Sequence, residues 1–269
     1  MEMENTDPLA EWQPCSIGAR VLRYARVSST QDVARRLIQE GIPNIAAVIA
    51  GYQTAGRGRF GRAWVAPPGT CLLVTYPIPL PKNASFPLAM LSFAAGLCVA
   101  LAVEELAGIE VGLKWPNDIL ISGKKASGVL IEAALDAGGR GVALVGIGVN
   151  GNVTRFPGAL DGQATSLLRE TGRVWDLDAL ERTVRAHLER EVRRLYTDGH
   201  DRLLAEWRSR DRTGGARYRI RGADGGQEGS AVGVSDTGAL ILLLDGGSRM
   251  EVMSATALRP VGSGEGGVG

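Results

Sequence analysis

The chain has 269 residues, of which 45% are hydrophobic and 22% are charged, and its formal net charge at pH 7 is +1. This composition is typical of a soluble globular protein, and the length suits one large domain together with a small one. The near-neutral charge excludes a general attraction to nucleic acid or to membranes, so an anion-binding site must be built from local residues. Three cysteines without a C-x-x-C pair, and two histidines, argue against a disulfide framework, a zinc site and histidine-based catalysis.

The N-terminus and the longest apolar run bear on localisation. Residues 1–14 are polar and acidic and lack the basic and apolar regions of a signal peptide. The apolar run 88–103 is shorter than the roughly 20 residues of a membrane span, so we predict a buried helix there. Together these features predict a cytoplasmic protein that has no membrane segment.

The first half of the chain contains signals for one capped helix, several strands and the buried helix. Ser29, with Asp32 three positions later, predicts the start of a short helix that ends at residues 41–43. Short apolar runs predict buried strands at 46–50 and 71–76, and a proline-rich connection follows over 77–87. Turn residues separate four further predicted strands, which are 111–115, 119–121, 129–134 and 142–149.

The second half of the chain changes in character twice. An irregular loop is predicted over 150–163, and helical periodicity returns from 176 to 210. Short alternating runs divided by glycine-containing turns then predict a small all-β barrel, with strands at 218–221, 229–234, 239–244 and 249–253. The glycine-rich tail 263–269 is predicted to be disordered.

An arginine–glycine loop, residues 56–62, lies in a stretch of sequence without a carboxylate between Glu40 and Glu104. Glycine lets the backbone approach an anion, and each guanidinium can bind phosphate or carboxylate through two hydrogen bonds. The loop therefore predicts an anion-binding site, with an exposed basic turn as the alternative. It also matches G-x-G-x-x-G, but the acid that a dinucleotide site requires about 20 residues later is absent. Arg57 and Gly58 likewise stand where a P-loop requires Lys and Ser/Thr.

Two further clusters have the residue types of a ligand site. Lys114 and Lys125, placed on a strand, turn and strand, can converge on one face, with a hairpin carrying solvent-facing lysines as the alternative. Between them, Asp118 can hold Mg²⁺ or orient a lysine, and Asn117 can hydrogen-bond a nucleotide. In the segment 146–150, glycine at every second position of an apolar strand predicts space for a flat ligand, with a β-bulge as the alternative.

Five segments of the sequence together resemble the successive motifs of the biotin protein ligases. They have the family's order and spacing over about residues 21–152, and they read Ser-Thr-Gln at 29–31, Tyr-Gln-Thr-Ala-Gly-Arg-Gly-Arg-Phe-Gly-Arg-Ala-Trp at 52–64, Lys-Trp-Pro-Asn-Asp at 114–118, Lys-Ala-Ser-Gly-Val-Leu-Ile-Glu at 125–132 and Gly-Ile-Gly-Val-Asn at 146–150. The terminal β segment resembles the family's small SH3-like domain. Its residues 254–259 lack the Gly-Glu pair that usually precedes Leu-Arg in that domain.

The resemblance implies an α+β fold. The expected architecture is a mixed β-sheet catalytic domain of the class II synthetase-like type, packed with helices and followed by a small C-terminal SH3-like β-barrel. The implied boundaries are 1–212 for the catalytic domain, 213–262 for the SH3-like domain and 263–269 for the disordered tail.

The resemblance also implies an activity. ATP, accompanied by Mg²⁺, activates the carboxylate of biotin to biotinyl-5′-AMP, and a lysine of a biotin carboxyl carrier protein or domain then accepts the biotin. A lipoate–protein ligase, a biotin-responsive DNA-binding repressor and a non-catalytic binder are the alternatives. The repressor is disfavoured because about twenty residues precede the first catalytic strand that the resemblance implies, near residue 21, and these are too few for a helix-turn-helix domain. We therefore expect no nucleic-acid or membrane partner, and a monomer or a weak homodimer.

The residue assignments implied by the resemblance fall into three groups. The catalytic residues are Arg57, Arg59, Asp118 and Lys125. The biotin contacts are Ser29, Thr30, Gln31, Gln53, Arg57, Gly58, Arg59 and Lys125. The nucleotide contacts are Arg59, Arg62, Trp64, Lys114, Asn117 and Asn150. No fixed protein metal site is expected, because Mg²⁺ arrives with ATP, and Asp118 is its candidate contact.

Overall fold

The computed structural model describes residues 17–81, 88–220, 227–253, 256 and 258–261. A seven-stranded sheet contains β1 (Arg20–Tyr24), β2 (Ile45–Ala50), β3 (Cys71–Pro79), β4 (Gly112–Lys114), β5 (Asp118–Ile121), β6 (Lys124–Leu135) and β7 (Gly141–Asn150). A five-stranded sheet contains β8 (Arg217–Ile220), β9 (Glu228–Val234), β10 (Leu240–Leu244), β11 (Arg249–Val252) and β12 (Leu258–Pro260). The helices are α1 (Thr30–Gln39), α2 (Leu88–Ala107), α3 (Leu167–Thr171), α4 (Leu177–Thr197) and α5 (Asp201–Ser209).

The large sheet is mixed, as expected. Its strand order is β1-β2-β3-β7-β6-β5-β4. β1 runs parallel to β2, and the other neighbours run antiparallel. Helices pack on this sheet and the second sheet is antiparallel, so the α+β class is confirmed.

Helix α1 begins where its cap predicts. The side chain of Ser29 is the N-cap and accepts a hydrogen bond from the backbone N–H of Gln31 at 3.3 Å. The helix ends before Gly41, whose φ of 73° lies in the left-handed region that glycine adopts without strain. This geometry places residues 29–31 at the N-terminus of α1.

Helix α2 is apolar on all sides and lies in the core. It is long and apolar enough, by length and composition, to cross a membrane, but 67% of its apolar window is buried inside the protein. Residues such as Phe93, Leu97 and Val99 belong to the main hydrophobic cluster. A helix that is apolar all round is suited to burial between layers, so the prediction of a buried helix is confirmed.

The proline-rich connection predicted over 77–87 is wrong at its start, because β3 continues to Pro79. Pro77 and Pro79 stand opposite Leu144 and Val142 of β7. β3 pairs with β2 only over residues 73–75, so the prolines lie where one side of the strand has no ladder partner. Such open edges tolerate a residue without a backbone N–H.

Four other elements differ from the sequence-based predictions. The helical stretch 176–210 contains two helices, because Gly199 interrupts it with a φ of 80°. β6 begins at Lys124 and not at residue 129, where the strand was predicted to start. Helix α3 and strand β12 have no counterpart among the predictions. The predicted tail 263–269 lies outside the described residues.

The small sheet is attached to the large one through buried contacts. The indole Nε1 of Trp115 donates to the carbonyl of Gly238 at 3.0 Å, and the Trp115 N–H donates to Thr213 Oγ1 at 2.8 Å. Apolar residues of both sheets, including Leu113 and Leu242, belong to one hydrophobic cluster. The small sheet therefore has a fixed position beside β4 and β5.

Candidate functional site

A cleft of about 800 Å³ lies over the large sheet, and it contains every residue that the sequence analysis assigned to the site. Its walls come from the N-terminus of α1, the loop 56–62, strands β6 and β7, the β4–β5 hairpin and the small sheet. The predicted residues in its lining are Ser29, Thr30, Gln31, Gln53, Arg57, Gly58, Arg59, Arg62, Trp64, Lys114, Asn117, Asp118, Lys125 and Asn150.

The α1 end of the cleft is polar and ordered. Gln53 Oε1 accepts hydrogen bonds from the backbone N–H of Thr30 at 2.7 Å and from Thr30 Oγ1 at 3.1 Å. Thr75 Oγ1 donates to Thr30 Oγ1 at 2.9 Å. These bonds fix the carbonyl side of the Gln53 amide and direct its NH₂ group elsewhere.

Gln31 presents a buried acceptor at the same end. Its Nε2 donates to the Leu130 carbonyl at 3.0 Å. Its Oε1 is buried and has no hydrogen-bond partner among the described residues. An unpaired buried polar atom costs about 1–3 kcal/mol, so this oxygen is suited to accept a hydrogen bond from a ligand.

The alternate glycines of β7 make room for protein side chains. A Cβ on Gly146 would lie 2.6 Å from Gln31 Nε2, and a Cβ on Gly148 would lie 2.6 Å from the Trp64 ring. The strand keeps a regular register with β3 and β6 here, so the bulge alternative is wrong. The flat space predicted beside the glycines is filled by Gln31 and Trp64 in this conformation.

Arg57 is held by two carboxylates. Its Nη1 lies 2.7 Å from Asp32 Oδ1, and its Nη2 lies 3.3 Å from Glu132 Oε2. Arg35 also pairs with Glu132, at 2.8 Å. Burial lowers the pKa of Arg57, but the hydrogen bond to Asp32 and the charge of Glu132 raise it overall. In this conformation Arg57 anchors the loop 56–62 to α1 and β6.

Arg59 and Arg62 provide the available positive charge of the loop. Neither has a carboxylate within ion-pair distance in the part of the chain that the structure describes. Their guanidinium carbons lie 4.9 Å and 6.0 Å from the ring centroid of Phe60, whose φ of 61° turns the loop. Burial lowers the pKa of Arg59, and the charge of Arg62 adds to this while Asp118 opposes it. A half-buried guanidinium without a counter-ion is suited to bind an anion.

Lys114 and Lys125, predicted to converge on one face, both line the cleft. Lys125 Nζ lies 2.5 Å from Asp118 Oδ1. Asn117 Nδ2 donates to the Val129 carbonyl at 2.6 Å, which ties the β4–β5 turn to β6. Lys125 Nζ also lies 5.9 Å from the ring centroid of Trp64, so the segment that follows the loop 56–62 meets β6 at this point.

The small sheet also contributes to the cleft, although no sequence motif predicts this contribution. Tyr218, Thr256 and Leu258 line the cleft, and Tyr218 lies close enough to Asp118 to respond to its charge. Burial, and after it the charge of Asp118, raise the pKa of Tyr218, so its phenol stays protonated at neutral pH. Alternation of Tyr218 with the exposed Arg217 and Arg219 marks an inward-facing position, but nothing in the sequence specifies which surface that face covers.

The carboxylate content of the cleft is low. Among the described residues that line it, Asp118 is the one acid. Among the described residues there is no group of three or more His, Cys, Asp and Glu side chains close enough to hold a metal ion.

Comparisons with known proteins identify the family to which the chain belongs. Residues 24–152 match the model of the biotin/lipoate A/B protein ligase family. The bifunctional ligase/repressor BirA of Bacillus subtilis is 34% identical over 84% of this chain and 70% of its own length. The chain belongs to this family of protein ligases.

Within the family, two similar proteins are named as biotin ligases. The biotin–acetyl-CoA-carboxylase ligase of Mycobacterium tuberculosis is 34% identical over 85% of this chain and 84% of its own length. The structure of the Aquifex aeolicus biotin protein ligase in complex with biotin and ATP has a TM-score of 0.76 and 30% identity. That match covers 90% of this chain and 99% of the Aquifex chain.

Proposed function

We propose that this protein activates biotin with ATP to biotinyl-5′-AMP and transfers the biotin to a lysine of a biotin carboxyl carrier protein or domain. The observation that carries the proposal is one cleft with a polar, pre-ordered end at α1 and a cationic end at Lys114, Lys125 and Arg59. Such a cleft suits a neutral bicyclic head, a carboxylate and a nucleotide in line. The relatives named as biotin protein ligases support the same reading.

The α1 end is proposed to bind the ureido ring of biotin. Gln31 Oε1, which lacks a partner among the described residues, would accept a ureido N–H. The NH₂ group of Gln53 and the hydroxyls of Ser29 and Thr30 would face the ureido oxygen and the remaining N–H. Gly58 lets the loop backbone approach the bound ligand.

The cationic end is proposed to bring two anions together. A carboxylate oxygen of biotin attacks the α-phosphorus of ATP, an acid anhydride forms, and pyrophosphate leaves. Lys125, Arg59 and Arg62 would offset the repulsion between the reactants and stabilise the charge that develops on the phosphoryl oxygens. Arg57, held by Asp32 and Glu132, would contribute by fixing the position of the loop.

The remaining wall of the cleft is proposed to hold the nucleotide. Trp64, Lys114, Asn117 and Asn150 surround the space between β7 and the β4–β5 hairpin. Mg²⁺ would arrive with the triphosphate, because it retains water and phosphate ligands and needs few protein carboxylates. Asp118 fits that requirement as a single carboxylate.

The second half-reaction transfers the acyl group. The neutral amine of an acceptor lysine attacks the carbonyl carbon of biotinyl-AMP, AMP leaves, and the ammonium proton passes to solvent. Closure of the loop 56–62 over the adenylate would keep water from that carbonyl. We place this reaction in the cytoplasm, with the protein as a monomer or a weak homodimer.

Biotin-dependent ATP–pyrophosphate exchange is the test. The protein should exchange label with biotin and Mg²⁺, should do so far less with lipoate, and should increase the mass of a carrier domain by one biotin. Exchange with lipoate in preference to biotin would establish the lipoate ligase alternative. No exchange with either acid would overturn the proposal.

A further inference from the structure

Lys125 lies near the start of β6, before the part of the strand that pairs with β7. β6 pairs with β7 from Ser127 to Leu135, so the backbone of Lys125 has no neighbour on that strand. The segment 163–165 takes the place of β7. The Lys125 N–H donates to the Gln163 carbonyl at 2.9 Å, and the Thr165 N–H donates to the Lys125 carbonyl at 2.9 Å. The position of Lys125 therefore depends on a short segment from a later part of the chain.

The carboxylate of Glu170 holds the segment 163–165 and the turn between β5 and β6 together. Glu170 Oε1 accepts from Thr165 Oγ1 at 2.5 Å, and Glu170 Oε2 accepts from Ser122 Oγ at 2.6 Å. Ser122 has a φ of 51°, in the left-handed region that favours glycine. The bond to Glu170 helps to hold this residue in that conformation, three positions before Lys125.

Glu170 is itself fixed to the core. Its helix α3 is capped by Ser166, whose hydroxyl donates to the Val153 carbonyl at 2.6 Å, and Leu167 is fully buried. The Leu168 N–H donates to the Gly151 carbonyl at 2.8 Å. Burial raises the pKa of Glu170, but the hydrogen bonds from Ser122 and Thr165 lower it overall, so the side chain is ionised and accepts both bonds.

Thr165 connects this support to the cleft on a second side. Its carbonyl accepts from Asn150 Nδ2 at 3.0 Å, and Asn150 lines the cleft. The backbone and side chain of Thr165 thus contact Lys125, Asn150 and Glu170. Displacement of Thr165 would shift Lys125 and Asn150 together.

We propose that Glu170 is a positioning residue for Lys125. Its two carboxylate oxygens bind Ser122 in the turn between β5 and β6 and Thr165 in the segment 163–165, and both of these flank the lysine. Glu170 does not line the cleft, and it would act on adenylate formation through the placement of the Lys125 ammonium. This inference rests on the proposed function of Lys125. A displacement of about 1 Å in a reacting group can lower a rate by about a hundredfold.

A double-variant cycle tests the inference. In biotin-dependent ATP–pyrophosphate exchange, Glu170→Ala should lower kcat by about ten- to a hundredfold and leave the KM for biotin within about twofold. Lys125→Ala should lower kcat more. The combined Lys125→Ala and Glu170→Ala variant should be no slower than Lys125→Ala, because the lysine that Glu170 positions is gone. Multiplied losses in the double variant would overturn the proposal.

Conservative variants separate positioning from general destabilisation. Thr165→Val removes one hydroxyl bond and should reproduce part of the loss in kcat, whereas Thr165→Ser should restore it. Glu189→Ala removes an exposed helical glutamate that pairs with Arg193 and serves as the matched control with unchanged kcat. If Glu170→Ala does not fold, or if the rate of Lys125→Ala is too low to measure, the Thr165 pair decides. Equal rates for Thr165→Val and Thr165→Ser would then overturn the proposal.

The two hypotheses fail in different ways. A wild-type protein without exchange activity contradicts the proposed function. An active wild type whose Glu170→Ala variant keeps full kcat contradicts the positioning role alone.

Discussion

Arg57 Nη1 lies 2.7 Å from Asp32 Oδ1, so the first arginine of the loop 56–62 is bound to the first turn of α1. The same turn carries Thr30 and Gln31 into the cleft. This ion pair therefore couples the loop to the proposed biotin end of the site. Both side chains are about two-fifths exposed, and exposed pairs contribute about 0–1 kcal/mol to stability.

Asp32→Asn should therefore affect ligand binding more than stability. We expect the KM for biotin to rise several-fold, because the loop loses its link to α1, while the free energy of unfolding changes by less than about 1 kcal/mol. Exchange kinetics and urea denaturation measure the two quantities. Glu40→Gln, which removes an exposed pair with Arg36, is the control. Equal effects of the two variants on the biotin KM would contradict the coupling.

Arg59→Ala should release biotinyl-AMP faster. Arg59 is half-buried and has no carboxylate partner among the described residues, so a bound phosphate would be its counter-ion. Loss of a hydrogen bond to a charged group costs about 1.5–3 kcal/mol, which is roughly a tenfold or larger increase in release rate. Filter retention of labelled adenylate over time measures this rate, and an unchanged rate would remove Arg59 from the anion site.

Lys125→Ala should lose most adenylate formation. Its ammonium would neutralise both reacting anions, and removal of one such group lowers kcat by about a hundred- to a thousandfold. Lys125→Arg keeps the charge but changes its geometry, and it should recover only part of the rate. Arg193→Ala, which removes an exposed positive charge on α4, is the control. Near-normal exchange in Lys125→Ala would show that Lys125 is not a catalytic residue.

Tyr218→Phe should weaken ATP binding without changing biotin binding. Tyr218 lines the cleft near Asp118, and its phenol is protonated at neutral pH. A lost neutral hydrogen bond costs about 0.5–1.5 kcal/mol, so the KM for ATP should rise by about two- to tenfold. Tyr52→Phe, outside the cleft lining, provides the comparison. A change in the biotin KM instead would place Tyr218 at the other end.

Gly148→Ala should displace Trp64. The added methyl would lie 2.6 Å from the indole ring, and such overpacking costs about 1–3 kcal/mol. Urea denaturation and tryptophan emission should both change. Gly214→Ala, where the added methyl meets no atom within 4 Å, should leave both unchanged. A fully stable Gly148→Ala variant with unaltered emission would show that Trp64 is not fixed above this strand.

The residues that the sequence analysis assigned to the site line one cleft, and several of them stand in patterns that can be recognised locally. Ser29 is visible as a cap, the loop 56–62 by its arginines and glycines, and Lys114 and Lys125 by their turn residues. What each arginine contacts is a tertiary property. The sequence could not separate Arg57, which two carboxylates bind, from Arg59, because Glu132 lies 75 residues from Arg57 in the chain.

The fold departed from prediction where tertiary pairing overrides local signals. Pro77 and Pro79 favour a connection, but the hydrogen bonds of β7 extend the strand through both of them. Helix α3 has only five residues, too few to give a periodic signal. The contribution of Tyr218 depends on how the small sheet docks, and no local pattern records that docking.

The residues that line the cleft are widely separated in the chain, from Ser29 at the N-cap of α1 to Leu258 on β12. Contacts of such large sequence separation form late, after the loops between them have closed. A chain still emerging from the ribosome has the α1 end of the cleft, Lys114 and Lys125 before it has the wall that carries Tyr218. The complete cleft is therefore expected only when synthesis has passed residue 258, so a truncated product would be a poor ATP-consuming enzyme.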